Sequence, residues 1–242
     1  MGAESLLAQA LEAVKAAHFD AAGAACDYAA LAGSRERGQL AACLDSLAGF
    51  DPKNLRIPEQ TAFWLNAYNA LVLRDAAELG MRDFFERQRA SVASHGWSLD
   101  DIEHGLLRGN APKYGHLRAP MQRSDPRLAH VPLAFDERVH FALYSACRSS
   151  APLRVLHGER LEAELEAAAR DYLRATVRVK DEGARVKVPK IFHWYADDFG
   201  GERGALEFVV ARLDEESVEV IDRRQGSVRL KYYDFDWTLN QR

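Results

Sequence analysis

The chain has 242 residues and a net charge of −4, with 48% of its residues apolar. Such a length suits one large domain or two small ones around a continuous core, and 11 Phe, 8 Tyr and 4 Trp supply apolar surface that a disordered chain lacks. With no bulk cationic field, neither nucleic acid nor anionic lipid is an expected partner.

Residues 3–20 carry Ala, Leu and Val at helical spacing and predict an amphipathic helix. Glu4 and Glu12 stand where a secretory leader carries basic residues, so a cytoplasmic location is expected unless a signal peptide has been removed. A second helix is expected from Ser34 to Leu47. Pro58 suits the first turn of a third, running to about Leu79 with Gly80 as its stop. The middle of this third helix, from Thr61 to Leu73, is apolar nearly all round, which marks a central buried helix. Asn66 and Asn69 interrupt it, and it is too short to span a bilayer.

Ser98 and Asp101 make a start resembling a capping box for a short helix through Arg108, closed by Gly109. The next thirty residues, with Pro112, Pro120, Pro126 and Pro132, predict a long loop with short turns at most. Between His104 and His130 stand Arg108, Lys113, Arg118, Arg123 and Arg127 against the single carboxylate of Asp125, a solvated loop or an anion-attracting rim. Residues 139–144 fit a buried strand or a short buried helix, and 159–174 a helix with Leu161, Leu165, Ala168 and Tyr172 in one stripe. Residues 176–180 and 185–188 alternate around Asp181-Glu182-Gly183-Ala184, a hairpin signal. Ile191 to Phe199 reads as a short helix stopped by Gly200-Gly201, followed by strands at 206–213, 218–221 and 229–233. Helices first and strands later, without βαβ alternation, predict the α+β class: a single compact domain with a helical N-terminal half and a mainly antiparallel sheet from the C-terminal half.

Signatures for dinucleotides, phosphate loops, HExxH zinc sites and GxSxG nucleophile elbows are absent from the sequence. Cys26, Cys43 and Cys147 are widely spaced, without a CxxC pair, so no zinc knuckle, redox pair or cofactor is expected from them. What remains is a set of polar constellations. Asn66 and Asn69 share a face of an apolar helix, where buried amides must be bonded, either to crossing backbone or to a ligand. Asp100 and His104 share a face of the next helix, with Glu103 pointing elsewhere. His140 and Cys147 flank an apolar run beside Ser145, Arg148 and Ser150. His193 and Asp197 stand four apart as a helix-surface pair, while Trp194 has a packing role.

From about Leu47 to the end the chain resembles the domain of unknown function 547 family. The resemblance is carried by Ala62-Phe63-Trp64-Leu65-Asn66-Ala67-Tyr68-Asn69-Ala70-Leu71, Ser98-Leu99-Asp100-Asp101-Ile102-Glu103-His104, Asp125-Pro126-Arg127 and His140-Phe141-Ala142-Leu143. It continues in Pro152-Leu153-Arg154, the run from Lys190 to Phe199, and Tyr233-Asp234-Phe235-Asp236-Trp237. The resemblance implies one fold without supplying a reaction, and it singles out Asn66, Asn69, Glu103, His104, Arg127, His140 and Asp198 as polar motif positions. The family usually has cysteines after His-Phe-Ala-Leu where this chain has Ser145 and Ser150, and a small residue where it has Cys147.

The expected organisation is a helical segment, 1–46, packed on a main domain, 47–242, with a cleft walled by helices 58–79 and 98–108 and the segment 140–152. The leading expectation is a thiol- or hydroxyl-dependent hydrolase or acyltransferase acting on an amide or thioester. Cys147 or Ser145 attacks, His140 or His104 takes the proton, Glu103 orients the imidazole, and Asn66 donates to the oxyanion. One rival is a non-catalytic domain binding a small-molecule or peptide ligand of anionic character through Asn66, Asn69 and Arg127. The other is a metal-dependent hydrolase built on His104, Asp100 and a distant His. The sequence leaves the oligomeric state open.

Overall fold

Leu7, Leu11 and Val14 recur at helical spacing in the first helix, α1 (Ala3–His18), and all three are buried. The computed structural model describes residues 2–79, 85, 88–131, 135–224 and 228–242. Helix α1 packs on α3 (Arg35–Ser46), whose first turn is capped by Ser34 Oγ, accepting from Arg37 N at 3.1 Å. Between them sits a helix the sequence pattern did not reveal, α2 (Tyr28–Ala32). Its five residues are too few for a helical period, and its signal is the cap Asp27, which accepts from Ala30 N.

Helix α4 (Ile57–Leu79) is the central element, buried at every residue from Ala62 to Leu73. Trp64 is its anchor, with ring centroids 5.1 Å from Phe63 and 4.8 Å from Trp97. Gly80, the expected stop, lies outside the described residues. A hairpin not foreseen from the sequence follows: β1 (Gln88–Val92) pairs antiparallel with β2 (His95–Ser98). Its turn is Ala93-Ser94, both at positive φ (50° and 61°), so the glycine or asparagine that usually announces such a turn is missing. Backbone bonds from Ala93 N to Phe50 O and Ser94 N to Ala48 O help hold this unfavourable conformation.

The capping box forms reciprocally, Ser98 N donating to Asp101 Oδ2 at 2.9 Å and Asp101 N to Ser98 Oγ at 3.0 Å. Asp101–Leu107 then winds as a π-helix, with Arg108 N bonded to Glu103 O. Through the described part of the loop that follows, regular structure is confined to short 3₁₀ turns at Pro126–His130 and Glu137–Phe141. The latter resolves residues 139–144: they are no strand.

A second core gathers around Phe141 and Phe192, built by α5 (Leu161–Thr176), the strands β3 (Arg178–Lys180), β4 (Arg185–Val188) and β5 (Arg229–Tyr232), and the helices α6 (Ile191–Trp194), α7 (Gly201–Val210) and α8 (Glu215–Asp222). The hairpin β3–β4 is antiparallel as expected, while β5 pairs parallel to β4, so this three-stranded sheet is mixed. Gly200, at φ 73°, ends the turn after α6. The strands expected at 206–213 and 218–221 are corrected to parts of α7 and α8. In α7 Ala205, Phe208 and Val209 bury one face at i, i+3 and i+4, while Arg203 and Glu207 pair at 2.9 Å on the outside. In α8 the cap is Asp214, accepting from Ser217 N. The protein is α+β, with small sheets among many helices.

Candidate functional site

The segment 142–156 is fixed between the two cores by the two asparagines of α4. Asn69 Nδ2 donates to Ala142 O at 3.0 Å and its Oδ1 accepts from Tyr144 N at 2.8 Å. Asn66 repeats the arrangement on Leu156, donating at 2.8 Å and accepting at 2.9 Å. Both residues are buried. The ligand-binding and oxyanion roles expected of them are therefore corrected: their amides are spent on backbone, and neither lines the cavity described next. On its other side the segment is held by the chain's last residues, Arg148 N donating to Thr238 O at 2.8 Å and Asn240 N to Ala146 O at 3.2 Å.

Between this segment, α4, the π-helix and α6 lies a cavity of about 210 Å³. Its mouth is aromatic: Trp194 stacks on Trp237 at 5.9 Å and lies 5.0 Å from Phe235. The floor is polar and carries Glu103, His104 and His140, with Ser145, Ser149 and Ser150 along one wall.

Two buried networks organise the floor. In the first, Arg108 forks onto Asp198, Nε to Oδ2 at 2.6 Å and Nη2 to Oδ1 at 2.8 Å. His140 Nε2 meets the same Oδ2 at 2.8 Å, and its ring stacks on Tyr195 with centroids 4.0 Å apart. Burial alone would raise the Asp198 carboxyl, but the His140 and Arg108 hydrogen bonds and charges outweigh it and bring the pKa down to about 2. An ionised carboxylate only accepts, so the proton lies on His140 Nε2, leaving Nδ1 to act as base in the neutral ring.

In the second network Glu103 accepts from Tyr195 Oη at 2.5 Å and Tyr68 Oη at 3.2 Å. Burial raises the Glu103 carboxyl, while His104, the Tyr195 hydroxyl and other neighbours lower it more, leaving it below its ordinary value. Burial drives both tyrosines well above theirs, so they remain donors. The expected partnership of Glu103 with His104 is corrected in its geometry. The π-helix turns Glu103 towards the same cavity, yet its Oε1 is 3.9 Å from His104 Nδ1, beyond hydrogen-bonding reach. Arg108 Nη1 takes that position, 3.1 Å from Nδ1. Because a guanidinium only donates, Nδ1 holds the lone pair and the His104 proton sits on Nε2. Burial lowers the His104 pKa, which keeps the ring neutral.

Cys147 is buried and absent from the cavity wall, its Sγ 3.4 Å from Ser145 Oγ. Burial raises its thiol pKa, the reverse of what an attacking thiolate needs. The structure thus brings Ser145, His140, His104 and Glu103 to one cavity and leaves Cys147 behind its wall. Arg127 is likewise engaged elsewhere: it pairs with Asp125 and Asp101 at 2.9 Å each and donates to Gly96 O at 3.0 Å. Its guanidinium is held by these partners and does not line the cavity. Lys113 Nζ sits 2.7 Å from Asp100, so an ammonium occupies the acidic side chain expected to hold a metal with His104. Among the described residues no group of three or more His, Cys, Asp or Glu side chains is arranged for a metal ion. His193 bonds Tyr114 Oη at 3.1 Å.

The sequence reading did not assign Arg108, Tyr68 or Tyr195 to the site. Arg108 stands four and five residues after His104 and Glu103, the one local signal available; Tyr68 and Tyr195 stand in apolar and aromatic runs.

An α+β domain with a carboxylate-bound histidine and a tyrosine-held glutamate under an aromatic mouth is thus defined by its own geometry. The family model for the protein of unknown function DUF547 matches residues 52–173, and the chain belongs to that family. Asp198, Tyr195 and the aromatic mouth lie beyond the matched segment. No curated protein and no solved structure matches the chain. No helix among the described residues is long and apolar enough to cross a membrane.

Proposed function

We propose that the cavity carries out acyl transfer to water or another acceptor, cleaving an ester, thioester or amide whose acyl group sits in the aromatic mouth. The observation that carries this reading is the 2.8 Å contact of His140 Nε2 with an Asp198 carboxylate fixed by Arg108, beside a wall of serine hydroxyls. His140 Nδ1 takes the proton of the Ser145 hydroxyl as Oγ bonds to the carbonyl carbon. The imidazolium returns that proton to the leaving group, and water then hydrolyses the acyl-serine by the same route. Asp198 stabilises the imidazolium and fixes the ring. Neutral His104, with its proton on Nε2, polarises the carbonyl oxygen.

The test is turnover of a panel of p-nitrophenyl esters, thioesters and anilides by the native chain and by His140→Ala, Ser145→Ala and Cys147→Ala. The expected result is loss of about 10²–10⁴-fold in kcat for His140→Ala and for Ser145→Ala, with Cys147→Ala close to native. Retained turnover in Ser145→Ala but not His140→Ala assigns the attack to water. A second reading, an idle binding domain, is favoured by the closure of the Glu103 network on its two tyrosines. Ligand binding without turnover of any panel member would establish it and end the first reading.

A further inference from the structure

On the far side of the serine wall lies a second depression, a groove of about 890 Å³. It shares Ser149, Ser150 and Phe235 with the cavity, so the two spaces are separated by the thickness of one segment of chain. Their linings differ in kind. The cavity is aromatic and apolar around its polar floor, whereas the groove carries Arg148, Arg154, Arg178 and Lys190 against Asp171 and Asp234.

Two of the four cations are balanced locally. Arg154 Nη2 meets Asp171 Oδ2 at 2.7 Å, and Lys190 Nζ lies 3.6 Å from Asp234. Arg178 donates to the neighbouring carbonyl of Val177, and no carboxylate pairs with it among the described residues. Arg148 is exposed, and its guanidinium has no hydrogen-bond partner among the described residues. Its acidic neighbour Asp236 feels the Arg148 charge without hydrogen-bonding to it, and accepts from Thr238 N at 2.9 Å. With four cations against two carboxylates in its lining, the groove carries an excess of positive charge on a chain whose net charge is −4, a local field opposed to the global one.

We infer that the cavity and the groove together bind an amphiphilic anion, whose apolar tail enters the aromatic mouth while its phosphate or carboxylate lies across the serine wall on Arg148 and Arg178. This deepens the acyl-transfer reading by naming its substrate class: an acyl compound with an anionic group on the far side of the scissile bond. The anion selects and orients. Guanidinium groups suit it because they grip phosphate or carboxylate oxygens in pairs. The tail is held by burial alone, so it contributes affinity without discriminating closely between chains.

The experiment titrates the full chain with octyl phosphate, octyl carboxylate (nonanoate) and octanol, at low and high salt, following the fluorescence of Trp194 and Trp237 at the mouth. The native chain is expected to bind both anions at least tenfold more tightly than octanol. Arg148→Ala/Arg178→Ala should erase that preference and leave octanol affinity within about twofold. Arg118→Ala/Arg123→Ala removes the same net charge from the exposed loop and should leave the preference intact. Whichever anion binds tighter identifies the headgroup. Equal binding of anions and octanol, no binding of either anion, or equal losses in the two double variants overturns the inference. Failure of the acyl-transfer reading would look different: the anion preference would persist while no ester or thioester, charged or neutral, is turned over.

Discussion

Arg108 and Asp198, 90 residues apart in the chain, meet in a two-pronged ion pair of 2.6 and 2.8 Å, and both His140 and His104 take their orientation from it. One carboxylate oxygen is shared by the guanidinium and His140; one further guanidinium nitrogen holds the lone pair of His104. The two imidazoles are thereby set in opposite roles, one with a free Nδ1 and one with a proton on Nε2.

Removing Asp198 therefore unseats both. Asp198→Asn should lower any His140-dependent turnover at least a hundredfold. It also leaves the Arg108 charge buried without its counter-ion, which costs about 3–5 kcal/mol. Urea unfolding at pH 7 measures the second effect. A double variant, Arg108→Met/Asp198→Leu, should recover much of the stability and none of the turnover. Full turnover in either variant would remove the dyad from the mechanism.

The same pair sets an acid limit on stability. The folded Asp198 pKa is about 2, below the ordinary carboxyl value of 3.8, so the unfolded chain takes up the proton first as pH falls. Stabilisation from this group is present above about pH 4 and is lost between about pH 4 and 2, worth about 2 kcal/mol. Unfolding curves of the native chain and Asp198→Asn should converge over that interval. Curves that stay parallel from pH 5 to 2 would contradict the depressed pKa.

How far these features were legible in the sequence depends on the range of the interaction. The Ser98–Asp101 box was visible because both partners lie within one turn. The asparagine clamps were visible as a demand, since an apolar helix cannot leave amides unpaired, although the sequence did not name Ala142, Tyr144 and Leu156 as what they hold. The hairpin at 88–98 escaped because its turn is Ala-Ser. Helices α7 and α8 were misread because Phe-Val-Val and Val-Glu-Val-Ile resemble strands over short windows, while burial on one side follows the helical period. Arg108, Tyr195 and Asp198 form a site only after folding, and no local spacing joins them.

The clamps invite a direct test. Asn69→Leu keeps the approximate volume of the side chain and leaves Ala142 O and Tyr144 N without their partner. Each orphaned buried group costs about 1–3 kcal/mol, so a loss of about 3 kcal/mol is expected in urea unfolding. Ligand affinity at the mouth should fall as well, because the serine wall hangs from this clamp. A loss under 1 kcal/mol would mean that water replaces the amide and that the clamp is incidental.

Arg127→Ala should behave as a structural variant. The side chain ties the loop to Asp101, Asp125 and Gly96, so its removal is expected to lower Tm by several degrees while changing octyl phosphate affinity less than twofold. A selective loss of anion binding at unchanged Tm would return Arg127 to the binding site.

Cysteine labelling discriminates between the thiol and hydroxyl mechanisms. Cys26 and Cys147 are buried, while Cys43 is partly exposed. Burial pushes the Cys26 thiol up to about 12 and raises those of Cys147 and Cys43 as well, so none is a thiolate at neutral pH. Access then decides the order of reaction. Iodoacetamide labelling from pH 5 to 9, followed by peptide mass spectrometry, should modify Cys43 first and leave Cys147 unmodified until the chain unfolds. His140→Ala and His104→Ala should not alter the Cys147 profile, since neither ring orients that sulfur. Rapid labelling of Cys147 near pH 7, slowed by loss of either histidine, would mean that the segment 145–150 rearranges to bring the sulfur to the cavity. The attack would then belong to the thiol rather than to Ser145.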